Sequence, residues 1–127
     1  MSDTLKQKAI AYLRHLERGE FSQARAMCTE TATVWHNNGK GDQTIVENVA
    51  SMEGQFGAIA SMRYEIVRQF AEDNAVLQQH VVQVTTQDGL RGQLLAAAYF
   101  QFDGDLIHRI EEYSNFVPQP DARVAES

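Results

Sequence analysis

Between Met62 and Phe116 the chain reads as four long segments of strand character, and the links joining the last three are short enough for hairpins alone. From Met62 the pattern has a period of two, with Met62, Tyr64, Ile66, Arg68 and Phe70 on one side and Arg63, Glu65, Val67 and Gln69 on the other. Then come "AVLQQHVVQVTT", "GQLLAAAYFQF" and "LIHRIEEYSNF", separated by "QDGLR" and "DGD", whose Asp-Gly pairs favour tight reversals. Four such segments in succession make an antiparallel meander. It needs something apolar to cover one face.

The first half of the chain supplies helices for that purpose. Leu5, Ala9, Tyr12, Leu13 and Leu16 recur at helical spacing, and Gly19 stands where a helix C-terminal cap would, which predicts a helix from about Thr4 to about Arg18. Phe21, Ala24, Arg25 and Cys28 suggest a short second helix. "TETATVW" then turns β-branched and predicts a first strand, followed by the loop "NNGKGD". Asp42 or Thr44 can cap a third helix, and Thr44 with Glu47 has the form of a capping box; Ile45, Val49, Met52 and Phe56 form its apolar stripe. The fold class is therefore α+β: three N-terminal helices packed on a curved antiparallel sheet. A single domain over residues 1–116 is expected, with 117–127, which holds both prolines, as a mobile tail.

Composition narrows the partners. A formal net charge of −6 gives neither a phosphate backbone nor an anionic membrane a reason to bind, so no nucleic acid and no membrane partner is expected. No basic segment precedes an apolar run at the N-terminus, and a cytoplasmic location is expected. Cys28 has no second cysteine to pair with and no metal-ligand spacing around it, which suits a buried, inert thiol. His36, His80, His108 and Glu112 are spread over three strands without an H-x-x-x-H or H-x-H pair, so neither a metal nor another cofactor is expected.

The order of elements, with "AYLRHLERGEFSQARAMCTETATVWHNNG" and "YFQFDGDLIHRIEEYSN", resembles the nuclear transport factor 2-like superfamily, in particular its SnoaL-like and ketosteroid isomerase-like branch. The resemblance covers about residues 4 to 116. It implies a cystatin-like cone with an apolar pocket at its open end. In ketosteroid isomerases a helical Tyr seven residues before the helix-ending Gly binds the substrate oxygen, and Tyr12 holds that position here. Their Asp base lies two residues after the Ala-Thr-Val segment, where this chain has His36. The third residue, a protonated Asp, falls on Ala98, so that donor is missing.

Two-residue alternation puts His108, Ile110, Glu112 and Ser114 on one face of the last strand, and the resemblance makes that the pocket side. Val76, Gln78, His80, Val82 and Val84 share a face of a middle strand, so His80 can enter the same cavity. His36 and Glu112, with Tyr12 as donor, form the candidate catalytic set. Trp35, Tyr64, His80, Ala98, Phe100, His108, Ile110 and Ser114 are candidates for ligand contact. Such a set suits an isomerase, dehydratase or cyclase acting by general acid–base chemistry on a small apolar carbonyl or hydroxyl compound. Epoxide hydrolysis fits less well, because the Asp-Arg-Asp set of relatives that perform it has no counterpart in this sequence. The alternative is a non-catalytic binding or dimerisation module, since His36 also suits a strand end that bonds its loop. A homodimer through Leu95, Ala97 and Tyr99 is expected under either reading.

Overall fold

The computed structural model describes residues 2–119. The first apolar stripe forms α1 (Ser2–Glu17), which ends on Gly19 in the left-handed conformation at φ 73°. A Cβ on Gly19 would also meet the Phe56 ring at 2.9 Å, so backbone and packing both require glycine there. A short helix α2 (Phe21–Ala26) leads directly into β1 (Cys28–His36), and Cys28 opens that strand instead of closing the helix. Three residues that read as loop and cap form β2 (Asp42–Thr44). Thr44 then caps α3 (Ile45–Phe56) in a complete capping box: its hydroxyl accepts from Glu47 N–H at 3.1 Å, and the Glu47 carboxylate accepts from Thr44 N–H at 2.9 Å.

The meander comes next as β3 (Ile59–Glu72), β4 (Ala75–Thr86), β5 (Arg91–Asp103) and β6 (Leu106–Pro118). One six-stranded sheet results, in the order β2-β1-β6-β5-β4-β3. It is mostly antiparallel. The exception is β1, which lies parallel to β6 and brings His36 opposite Glu112. Val117 and Pro118, expected in the tail, pair with Gln93 and Gly92 and so belong to the sheet. The rest of the expected tail, from residue 120, lies outside the described residues.

Two irregularities in the sheet reverse the expected alternation. Between β3 and β4 the register shifts at Val67, so Gln69 and Ala71 turn to the inner face while Phe70, expected beside Tyr64, is 65% exposed. Between β5 and β6 it shifts at His108, which lets Ile107 and Ile110 both face inward.

The core sits where α1 lies on the sheet. Ala9, Tyr12, Leu13 and Leu16 pack against Val34, Val76, Phe100 and Ile110, and the Tyr12 ring meets Phe100 edge-on at 6.4 Å. α1 also grips the free edge of β3. Glu17 accepts from Tyr64 N–H at 2.6 Å, Arg14 donates to Tyr64 C=O at 2.7 Å, and the two side chains pair at 2.9 Å. No helix among the described residues is long and apolar enough to cross a membrane.

Candidate active site

β1 and β6 run side by side, and the last residue of β1 ends the shared register. Val34 and Ile110 face the core, and one step of two residues further on His36 and Glu112 face the same side. Asn37 then leaves the strand, and its side chain takes over the pairing. Its carboxamide donates to Ser114 C=O and accepts from Ser114 N–H, both at 3.1 Å. This fixes the height of His36 against Glu112.

The two side chains meet with His36 Nε2 4.0 Å from Glu112 Oε1. That is contact without a hydrogen bond, so the imidazole nitrogen is not committed to the carboxyl. Their exposures, 30% for His36 and 19% for Glu112, mark a site sunk below the surface yet reachable. Burial pushes Glu112 up to about 7 and His36 below its ordinary value. Just below pH 7 the favoured state is a carboxylic acid beside a neutral imidazole, and above it the carboxylate takes over.

The cavity holding them measures about 330 Å3, near the lower end of the roughly 300–1,000 Å3 typical of small-ligand pockets. Its wall is apolar, from Leu16 at the end of α1, Met52 and Phe56 on α3, and residues such as Met62, Val82 and Leu94 on the sheet. The polar groups on it are His36, Gln55, Tyr64, Glu112 and Ser114. Burial holds the Tyr64 phenol well above the usual tyrosine range, and the nearby Glu112 and Glu17 add to that, so it stays a donor. Phe116, half exposed, closes one side of the mouth and lies over Gly92, where a Cβ would collide with its ring.

Several expected site residues lie elsewhere. Tyr12 is 2% exposed in the core and is not part of the pocket wall; burial, then Cys28, Tyr64 and Glu112, hold its phenol far above the usual range. Phe100, Ile110 and Ala98 are likewise buried core residues, because the rows they occupy lie under α1. Trp35 is on the opposite face of the sheet, its ring against Tyr113 with centroids 4.9 Å apart and planes tilted by 59°, since it alternates with the inward-facing Val34 and His36. His108, turned by the irregularity at its own position, bonds Thr29 at 2.9 Å, away from the pocket. His80 points inward but sits behind the wall, bonded to Gln78 at 3.0 Å and touching the Tyr64 ring. Burial pushes it down to about 4.

Sequence reasoning missed most of the apolar wall. Met52 and Phe56 were visible as a helical stripe, and Met62 and Val82 shared faces with Tyr64 and His80. What could not be read was that these rows stay uncovered. A larger recess of about 500 Å3, between α2, the start of β1 and α3, offers no comparable pair of groups. Its thiol, Cys28, is pushed up to about 12 by burial and is inert. No group of three or more His, Cys, Asp or Glu side chains that could hold a metal ion occurs among the described residues.

Helices on a curved, mostly antiparallel sheet, with a pocket at one end, define the α+β cone of the nuclear transport factor 2-like superfamily. The sequence model of the SnoaL-like domain matches residues 9–110, and the chain belongs to that family. Among solved structures it is similar to an LEH-like epoxide hydrolase of M. tuberculosis, at 18% identity over 90% of this chain and 84% of that one, with a TM-score of 0.77. It is also similar to AusH from Aspergillus nidulans, at 11% identity over 91% and 86%, with a TM-score of 0.81. An NTF2-like protein from Anabaena variabilis matches at 18% identity over 91% and 92%, with a TM-score of 0.76. At these identities the likeness concerns the fold. No curated protein matches the chain in sequence.

Proposed function

We propose that the chain is a small-molecule enzyme of the SnoaL-like type that moves protons on an apolar carbonyl or hydroxyl compound. One observation carries this: an uncommitted imidazole nitrogen 4.0 Å from a carboxyl whose burial raises it to about 7, both inside an apolar pocket. His36 accepts the proton from the carbon beside a carbonyl, and the electron pair moves to the oxygen as the enolate forms. Tyr64, or Glu112 as the acid, donates a hydrogen bond to that oxygen; Tyr64 replaces Tyr12 in this role because it lines the pocket. Return of the proton at another carbon gives isomerisation. Loss of a β-hydroxyl protonated by Glu112 gives dehydration.

The M. tuberculosis neighbour is described as an epoxide hydrolase, but neither Asp nor Arg lies on the wall of this pocket, so an Asp-Arg-Asp water-activating set is not supported. A homodimer remains part of the proposal. The outer sheet face exposes Val67, Leu95 and Tyr113, a surface suited to a second copy.

The first test is the NMR titration of His36 in the wild type and in Glu112→Gln, with deuterium exchange into 2-tetralone as the activity readout. The His36 ring signals should show an inflection near 7, where Glu112 ionises beside them, and that inflection should be absent in Glu112→Gln. Exchange should follow a bell-shaped pH profile whose alkaline limb, near 7, reports ionisation of Glu112 and disappears in Glu112→Gln. His36→Gln should lower exchange by about 10²- to 10⁴-fold. If His36 is indifferent to residue 112 and no exchange is catalysed, the chain is better read as a binding module of the same fold.

A further inference from the structure

The hydrogen bonds behind the pocket wall fix the position of one proton. Gln69 Nε2 lies 3.0 Å from the Lys6 carbonyl oxygen and 2.9 Å from the side-chain oxygen of Gln78. A carbonyl oxygen only accepts, so the Gln69 atom beside Lys6 is the amide nitrogen, and its second proton goes to Gln78. Gln78 therefore turns its oxygen to Gln69 and its NH2 to His80 Nδ1, at 3.0 Å. An NH2 group only donates. Nδ1 is bare, and the ring proton of His80 sits on Nε2.

That Nε2–H is buried and has no hydrogen-bond partner, in a residue only 2% exposed. Buried donors left unpaired are uncommon enough to need a reason. The neighbours of His80 belong to the pocket wall. Tyr64, part of the wall, has its ring 5.5 Å from the imidazole; Val82, the next inward residue of β4, lines the cavity. Ser114, also on the wall, shares a row with His80 across Ala96, whose small side chain leaves the row short of bulk.

We propose that His80 Nε2–H is a hydrogen-bond donor for an uncharged carbonyl-type oxygen of the pocket's occupant, exposed when the Tyr64 ring turns aside. This deepens the acid–base reading and rests on it: the occupant carries one oxygen function near His36 and Glu112 and a second acceptor at His80. The Gln69–Gln78–His80 relay sets the proton in advance. An anionic group is disfavoured there, since no Lys or Arg lines the cavity and a neutral imidazole offers it no positive charge. With burial pushing His80 down to about 4, the ring stays neutral through the physiological range.

The test uses long-range proton–nitrogen NMR of the histidine rings, with acetophenone as probe and ethylbenzene as a match of similar size lacking the acceptor. The free protein should show His80 as the Nε2–H tautomer. Acetophenone should move the His80 Nε2 signal, ethylbenzene should not, and acetophenone should bind about fivefold tighter. In His80→Leu that preference should vanish; should this variant not fold, the tautomer and the shift in the wild type decide. An Nδ1–H tautomer, or a His80 signal that acetophenone leaves unmoved whether or not it binds, overturns the proposal. Acetophenone that perturbs His36 but not His80 defeats this inference alone, whereas perturbation of neither defeats the pocket reading as well.

Discussion

The same strands build the closed end of the cone and its open end, yet one is packed and the other hollow. At the closed end the inner row Val34, Ile110, Phe100 and Val76 is 5% exposed or less, with α1 lying on it. One step further along β1 and β6 come His36 and Glu112, and then Ser114, which line the cavity, while in the same rows Ala98, Gln78 and His80 stay buried. Pairing and alternation are unchanged. What differs is side-chain size and the reach of α1, which ends at Glu17 and turns away at Gly19. A pocket here is the space left where a helix stops before its sheet does.

The largest expected effect tests the packed end. Phe100→Ala, which deletes a ring held between α1 and the sheet, should cost about 3–5 kcal/mol in urea unfolding. Met62→Ala, on the pocket wall, should cost under about 1 kcal/mol, because a partly solvated side chain already lacks neighbours on one side. Equal losses at both positions would remove the distinction between the two ends.

The second effect depends on pH and belongs to the open end alone. Glu112 titrates at about 7 folded and near 4.5 unfolded, so the unfolded chain ionises first and the native state loses stability as pH rises from about 4.5 to 7. Glu112→Gln removes that penalty. The variant should match the wild type at pH 4.5 and exceed it by up to about 3 kcal/mol at pH 8.5, measured by urea unfolding at the two pH values. His36 acts with the opposite sign, since its lowered pKa costs stability as pH falls below 6.5, but both proteins share that cost. A constant difference between the proteins would mean that Glu112 is not desolvated.

The smallest effect concerns the helix that forms the far wall. Thr44→Ala breaks the capping box and should cost about 1 kcal/mol with little dependence on pH. Deuterium exchange into 2-tetralone should fall with it only if α3 has to be held for the pocket to work.

The meander, its hairpins and the α3 cap were legible in the sequence, because each rests on local chemistry or on simple alternation; the encounter of His36 with Glu112 was expected only from the family resemblance. The parallel pairing of β1 with β6 was not, since it joins residues more than 70 positions apart and no turn announces it. The register shifts at Val67 and His108 were hidden for another reason. Neither Val67 nor His108 is a residue that marks a bulge, and one extra residue sends every later side chain to the other face. Tyr64 lies before the shift at Val67 and Glu112 after the one at His108, so the faces assigned to them held, whereas Phe70 lies past the shift at Val67 and His108 on the other. The sequence put Tyr12 forward as the donor and Tyr64 only as a ligand contact. Only the end point of α1 decides between them, and a helical stripe does not say which of its rings reaches a cavity.

The Arg14–Glu17 grip on Tyr64 bears on more than the position of a phenol. β3 is a 14-residue strand at the border of the sheet, and an unguarded border of that length is a template on which another chain can add a strand. By occupying both backbone groups of Tyr64, near the middle of the strand, the ion pair leaves only short free stretches on either side. The contact that steadies the pocket is thus also a guard on the open border of the sheet, so edge protection and candidate chemistry share one pair of side chains.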